Sequence, residues 1–265
     1  MDKSSLAVAV LVMVSSGDAW AQPSPSSASA VTGSSSNAGY PDEYALRPLL
    51  LPTGMVQLKV PVVINLSKNS VASPVFIPIE IRLGLTKELE LRLFQPGNSL
   101  CVSGKSKGCD RVYNDLALGM LYSVMRERGM DLALLGAVEV TSFSNPAKLR
   151  LDAGMAFKYI HAPFSIATWP YVGIGLNHRD ENGDSVNIPV EFAYQLAWPT
   201  ALFLESGLFG PTHNFSDSWS MPLGVGIDYL LRHSVDIGAE FKFTSLIGHG
   251  STDGRLILVY VALRN

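Results

Sequence analysis

Charge is scarce in this sequence. Asp, Glu, Lys and Arg make up 16% of its 265 residues, well below the ~25% of ordinary soluble domains. The formal net charge is -3, which excludes the strong basic field that draws a chain onto nucleic acid. Long apolar runs are also missing after the N-terminus, although 47% of residues are hydrophobic. A spanning helix needs ~18 or more apolar residues in succession, so helical membrane spans are excluded there. Cysteine is nearly absent, with Cys101 and Cys109 alone, and two thiols without a neighbouring His pair make a poor metal site. No nucleophile elbow and no helical zinc motif occurs, so no residue is assigned to catalysis and no cofactor or metal is expected.

The N-terminus has the form of a secretory signal. Lys3 precedes a short apolar core, Leu6 to Val14, and Ala19-Trp20-Ala21 supplies the small residues of a cleavage site. Cleavage after Ala21 is expected, giving a signal peptide over 1–21. No Cys comes after the apolar core, which argues against a lipoprotein. Residues 22–54 form a low-complexity lead-in. From Pro23 to about Asn37 its Ser, Ala and Pro cannot bury enough apolar surface to offset the entropy of ordering, and this stretch is read as disordered in the periplasm. Its last part, Pro41 to Pro52, is a transition segment expected to skirt or partly plug the mouth of the fold formed downstream.

From Met55 to Asn265 the dominant period is two, the signature of strands. Leu116, Leu118, Met120, Tyr122 and Val124 oppose Asp115, Gly119 and Ser123. Val186, Ile188, Val190, Phe192 and Tyr194 oppose Asn187, Glu191 and Gln195. Similar segments recur about twelve times, most with the ~9–11 residues that cross a bilayer at a tilt. The weakest are Leu89 to Phe94, which is short, and Ile166 to Leu176, which contains Pro. The last, Arg255 to Leu263, is apolar on both faces and leaves its register open.

Alternation alone does not separate a soluble sandwich from a membrane barrel. The connections do. Long polar loops, such as Gln95 to Arg111 and Asn177 to Ser185, alternate with tight turns such as Arg126 to Gly129 and Pro199-Thr200. Long external loops and short periplasmic turns are the habit of outer-membrane barrels. An even strand count then puts both termini in the periplasm. Tyr122, Tyr159, Trp198 and Tyr229 fall on the apolar face near the short-turn ends and are expected to form an aromatic girdle, with Tyr260 a fifth candidate.

The hairpin from Gly224-Val225-Gly226-Ile227-Asp228-Tyr229 to Val235-Asp236-Ile237-Gly238-Ala239-Glu240-Phe241 resembles the periplasmic hairpins of bacterial outer-membrane β-barrel proteins of porin or transporter type. The resemblance covers about Met55 to Asn265 and names no subfamily. It implies an all-β fold: a transmembrane antiparallel up-and-down barrel of about twelve strands, with ten or fourteen as the alternatives. It also implies the outer membrane of a Gram-negative bacterium, with outer-membrane lipid and the barrel-assembly machinery as partners. The chain ends Leu263-Arg264-Asn265 rather than in the aromatic that this machinery often reads.

The face opposite the aliphatics is expected to line a lumen. It carries Glu80, Arg82, Glu90, Arg92, Asp115, Glu139, Arg150, Asp152, Lys158, Glu191, Glu205, Asp228, Glu240 and Lys242. Charges in a narrow lumen must be paired or hydrated. They form either a structural ion-pair network or, since acids exceed bases, a weakly cation-preferring channel. Cys101 and Cys109, in a long loop of an exported protein, are expected to pair. Glycines 173, 175, 224, 226 and 238 alternate on the lumen face with no helix after them; they are read as relieving crowding or letting an aromatic lie flat. The functional expectation is a passive channel or small-solute transporter. The alternatives are a structural or surface-binding barrel with a closed lumen, and a hydrolase at the extracellular rim built on His178, His213 or His249.

Overall fold

The computed structural model describes residues 39–68, 71–96, 100–103, 115–141, 143, 146–249 and 253–265. The expected signal peptide and the lead-in up to residue 38 lie outside the described residues, as does Cys109 and with it the expected disulfide.

Strong alternation produces the wall. Its segments are β1 (Val56–Asn65), β2 (Val75–Phe76), β3 (Glu80–Gly84), β4 (Leu89–Phe94), β5 (Leu116–Glu127), β6 (Met130–Thr141) and β7 (Lys148–His161). They continue with β8 (Phe164–Thr168), β9 (Tyr171–Gly175), β10 (Ser185–Ala197), β11 (Thr200–Pro211), β12 (Ser220–Arg232), β13 (Val235–Gly248) and β14 (Arg255–Arg264). Two crossings are broken. Pro78 lies between β2 and β3, and Pro170 between β8 and β9; a proline cannot donate to the ladder. β8 and β9 both pair with β7 and β10, as one interrupted strand. The fourteen segments therefore make a closed barrel of twelve antiparallel strands.

The seam closes between β14 and β1, which pair from Gln57↔Arg264 to Asn65↔Leu256. Closure removes the free edges that lipid cannot satisfy. Both ends of the wall thus meet at the rim that carries the tight turns. One of these turns, Arg128-Gly129, has positive φ at both residues, +51° and +79°. That is the left-handed pair a two-residue hairpin needs, and a Cβ at Gly129 would run into the Ile160 carbonyl.

The pairings carry one apolar row across the outer surface: Ile81, Leu93, Leu118, Val138, Leu151 and Ile174 stand opposite one another on successive strands. All six are exposed. So continuous a band is far larger than a soluble monomer tolerates, and it suits a hydrocarbon surround. Tyr122, Tyr159, Trp198 and Tyr229 are exposed near the tight-turn rim.

One expectation needs correction. Tyr260 is not on the outer face. It is buried inside the wall, opposite Pro61 and Gly238, and its hydroxyl donates to Asp228 at 2.6 Å. β14 is apolar on both faces, so its parity is set by its neighbours and by the space that Gly238 leaves for the ring, where a Cβ would collide with it. The stretch from Pro41 to Pro52, expected to skirt or partly plug the mouth, packs against the inner wall, with Ala45, Leu49, Leu50 and Leu51 buried.

Candidate functional site: the lumen and the N-terminal segment within it

The N-terminal segment begins with a single 3-10 turn, Tyr44–Leu46. It then runs through Arg47, Pro48 and a leucine triplet. The triplet explains why this stretch leaves water: burying each leucine side chain is worth about 1.5–3 kcal/mol. Leu49 and Leu50 pack with Leu121, Ala133 and Ala156 of the inner wall, flanked by Leu135 and Trp169. Ala45 packs with Ala193, Phe203, Tyr260 and Ala262, with Tyr44 beside them.

Polar groups of the segment find partners on the same wall. The Leu49 N–H donates to Asp131 at 3.0 Å, and the Leu51 N–H to Glu90 at 2.7 Å. Arg82 donates to the Leu49 carbonyl at 2.8 Å. The Tyr44 hydroxyl donates to Glu191 at 3.0 Å. Arg47 makes a two-pronged bond to Asp236, at 2.8 and 2.9 Å, and also donates to the carbonyls of Pro41 and Asp42. Arg264 of β14 donates to the same Asp236 carboxylate. Burial disfavours the charged form of Arg47, but the Asp236 carboxylate outweighs it and raises the pKa above the ordinary arginine value. Burial, with the negative charge of Glu191 second, holds the Tyr44 phenol well above its usual range. The wall partners Glu90, Asp131 and Asp236 lie toward the tight-turn rim of their strands, and Glu191 lies at the middle of β10. The segment occupies the tight-turn end of the lumen.

The other expected lumen residues form local networks. Glu90, fully buried, accepts from both Arg82 and Arg92 at 2.7–2.9 Å. Lys242 meets Glu205 at 2.7 Å and Glu240 at 3.7 Å. Arg150 meets Asp152 at 2.9 Å, donates to the Ser185 hydroxyl, and stands opposite Glu139 in the ladder. Asp115 and Asp228 are buried and Glu80 is half-buried. Lys158 is buried and makes no hydrogen bond or close ion pair among the described residues, though Glu191 and Asp131 attract it. The glycines sit where larger groups approach. Phe203 covers Gly226, Tyr260 covers Gly238 and the Arg150 guanidinium covers Gly173. At Tyr171 the glycine it needs is Gly154.

Several cavities remain, among them one of about 610 Å³ between the segment and Lys87, Glu88 and Arg126 at the tight-turn rim. Two deeper ones bear on the lumen charges. One of about 260 Å³ touches the segment at Tyr44 and Arg47 and the wall at Lys59, Arg92, Lys158 and Trp169. Another of about 390 Å³ is lined by Glu139, Arg150, Tyr171, Ser185, Asn187 and Phe209. The second is the more polar, with hydroxyl, amide and charged groups that hold water.

The rim histidines do not assemble a reactive site among the described residues. Asp184 is already engaged by Arg179 at 2.6 Å and by the Gly175 N–H at 3.1 Å. His249 faces the Trp219 ring. Among the described residues no group of three His, Cys, Asp or Glu could hold a metal. The close histidine–carboxylate pair lies at the opposite rim, His233 to Asp42 at 2.6 Å.

Sequence reasoning did not single out Tyr44, Arg47, Asp131, Trp169, Asp236 or Arg264 as site residues. A signal existed for one of them: Arg47-Pro48-Leu49-Leu50-Leu51 is an apolar run with a single charge inside an otherwise polar leader. Such a run needs a dry surface.

The chain folds as a closed twelve-stranded antiparallel barrel with an apolar outer band and a charged interior, a fold it shares with outer-membrane porins. Solved structures with this fold include the NanC porin, at 7% identity and a TM-score of 0.59, covering 78% of this chain and 98% of that one. They also include the KdgM porin, at 9% identity and a TM-score of 0.55 with the same coverage. A third is the KdgM porin in complex with disordered oligogalacturonate, at 8% identity and a TM-score of 0.56. At these identities the likeness is one of fold alone. No family model matches the sequence, and no curated protein matches it.

Proposed function

We propose that the protein is an outer-membrane channel for small polar solutes whose lumen is closed at the tight-turn end by its own N-terminal segment. The observation that carries this reading is the segment from Tyr44 to Leu51 lying inside the barrel, joined to Glu90, Asp131, Glu191 and Asp236. A barrel whose interior served structure alone could fill itself with wall side chains, as small barrels do. Here the filling is a detachable length of chain entering from one rim. Beyond it lies a polar cavity facing the loops.

The chain enters the lumen at the rim where Gln57 and Arg264 pair. With that rim in the periplasm, the segment is a gate reached from the periplasmic side. Tyr122, Tyr159, Trp198 and Tyr229 then form the belt at that interface, and the assembly machinery receives the chain from the same compartment. Acids outnumber bases on the wall, so an opened lumen prefers cations weakly. The disulfide between Cys101 and Cys109 would brace the longest external loop.

Planar-bilayer recording tests the reading. The mature chain should be nearly silent or flicker. A chain beginning at Met55 should show steady conductance with weak cation preference. Silence from both, with folding intact by heat-modifiable gel migration, would favour the structural or surface-binding barrel instead.

A further inference from the structure

The wall as a whole is acidic, but the 260 Å³ cavity beside the N-terminal segment is basic. Arg47, Lys59, Arg82, Arg92 and Lys158 line it against two acids, Glu80 and Glu191. The cations are unevenly neutralised. Arg47 is bound to Asp236. Arg82 and Arg92 share the single Glu90 carboxylate, which also accepts the Leu51 N–H. One carboxylate between two guanidiniums leaves a positive charge over. Lys59 lies 4.1 Å from the centre of the Tyr260 ring.

Lys158 stands apart. It is only 7% exposed, and among the described residues its ammonium has no hydrogen-bond or ion-pair partner. Trp169 lines the same cavity, and its indole N–H is buried without an acceptor. An unpaired buried donor such as the Trp169 indole is costly, and the Lys158 ammonium opens on the cavity that Trp169 lines. Two such donors around one cavity mark the place of an acceptor that is not part of the chain. Glu191 and Asp131 attract Lys158 without bonding to it among the described residues, and Glu191 also accepts from the Tyr44 hydroxyl.

The geometry points to a binding site for a small oxyanion, a carboxylate or a phosphate, held by Lys158 and Trp169 of the wall with Arg92 beside them. The N-terminal segment forms one side of the site through Tyr44, Arg47 and Leu49. The site is complete only while the segment is docked. An anion bound there stabilises the closed lumen, because a ligand shifts a two-state equilibrium toward the state it prefers. The inference rests on the reading of the segment as a lumen-closing element.

Calorimetric titration of the refolded mature chain in detergent tests it without any conductance measurement. Sodium acetate, sodium phosphate and sodium chloride are the probes. Saturable one-site binding of acetate or phosphate is expected, with no such binding of chloride, and the tighter of the two oxyanions identifies the class. Lys158→Met should weaken binding about tenfold or more, the loss of one charge-assisted bond, whereas Lys158→Arg should retain it. Trp169→Phe supplies a second variant should Lys158→Met fold poorly, and it too should bind more weakly. The chain beginning at Met55 should not bind. No saturable heat with either oxyanion, or undiminished binding by both Lys158→Met and Trp169→Phe, would overturn the site. That result would leave the channel reading standing if deletion of the segment still opens conductance.

Discussion

At the tight-turn end of the barrel, Asp236 is 1% exposed and receives two guanidiniums, Arg47 from the N-terminal segment and Arg264 from β14. At the loop end, Arg179 meets Asp184 with side chains 62% and 27% exposed. The chemistry of the two pairs is the same and their surroundings differ. Out of water the attraction between charges is strong but so is the cost of stripping their hydration, so a buried network holds only when every member is present. In water both terms are small. In the proposed channel the tight-turn end switches between a docked and a released segment, and the loop end is the wetter mouth.

The sharpest way to break this contrast is to remove the shared carboxylate. Asp236→Ala leaves two buried guanidiniums facing each other. The expected loss is about 3–5 kcal/mol of stability, read as a lower urea midpoint for the barrel refolded in lipid vesicles, together with increased conductance as the segment leaves. A cost under ~1 kcal/mol would show that this end is as wet as the other.

Leu50→Ala attacks the same dock through its apolar side. Leu50 is fully buried against Leu121, Ala133 and Ala156, and a leucine truncated in such a setting costs about 2–5 kcal/mol. Here the cost falls on docking rather than on the wall. Protease should cut the segment faster in the variant, while heat-modifiable migration of the barrel stays unchanged. A change in migration with no change in cleavage would place Leu50 in the wall's own core.

The wall was legible because its physics repeats. Each crossing alternates aliphatic and polar residues, and lipid on one side with a polar lumen on the other demands that at every strand. Leu118, Val138 and Leu151 declare their face without any knowledge of their neighbours, and pairing then sets them side by side. β14 was illegible for the same reason: with apolar residues on both faces, nothing local tells Tyr260 from Val261. The N-terminal segment was half legible. Its position in the barrel mouth could be suspected, but its partners could not, because Arg47 and Asp236 lie 189 residues apart and no period connects them. Trp169 and Lys158 are near in sequence, but Trp169 falls in the break after β8 where the alternation stops, so no pattern marks them as a pair. The wall's register, not a motif, brings them to one cavity.

Gly238→Ala measures how tightly the closed end is packed. A Cβ there would meet the Tyr260 ring, whose hydroxyl donates to Asp228. Overpacking of this kind costs about 1–3 kcal/mol. Tyr260→Phe in the same background should not recover stability, since the ring and not the hydroxyl makes the clash. Tyr260→Leu should recover part of it. A neutral Gly238→Ala would mean that the inner face here is looser than the docked segment requires.

The smallest effect is expected at the loop end. Arg179→Ala removes the partner of Asp184, but the Gly175 N–H still donates to that carboxylate and water reaches the rest. Pairs as exposed as this are worth about 0.2–1 kcal/mol, and salt screens them further. The urea midpoint should scarcely move, and what remains of the shift should fade as salt is added. The change should appear instead in the opened pore. Removing a cation from the external mouth should make the chain that begins at Met55 slightly more cation-preferring, read as a shift in reversal potential across a salt gradient. A stability loss matching that of Asp236→Ala would mean that the loop end is buried too. The lumen would then have no wet vestibule, and the two ends would differ in shape rather than in chemistry.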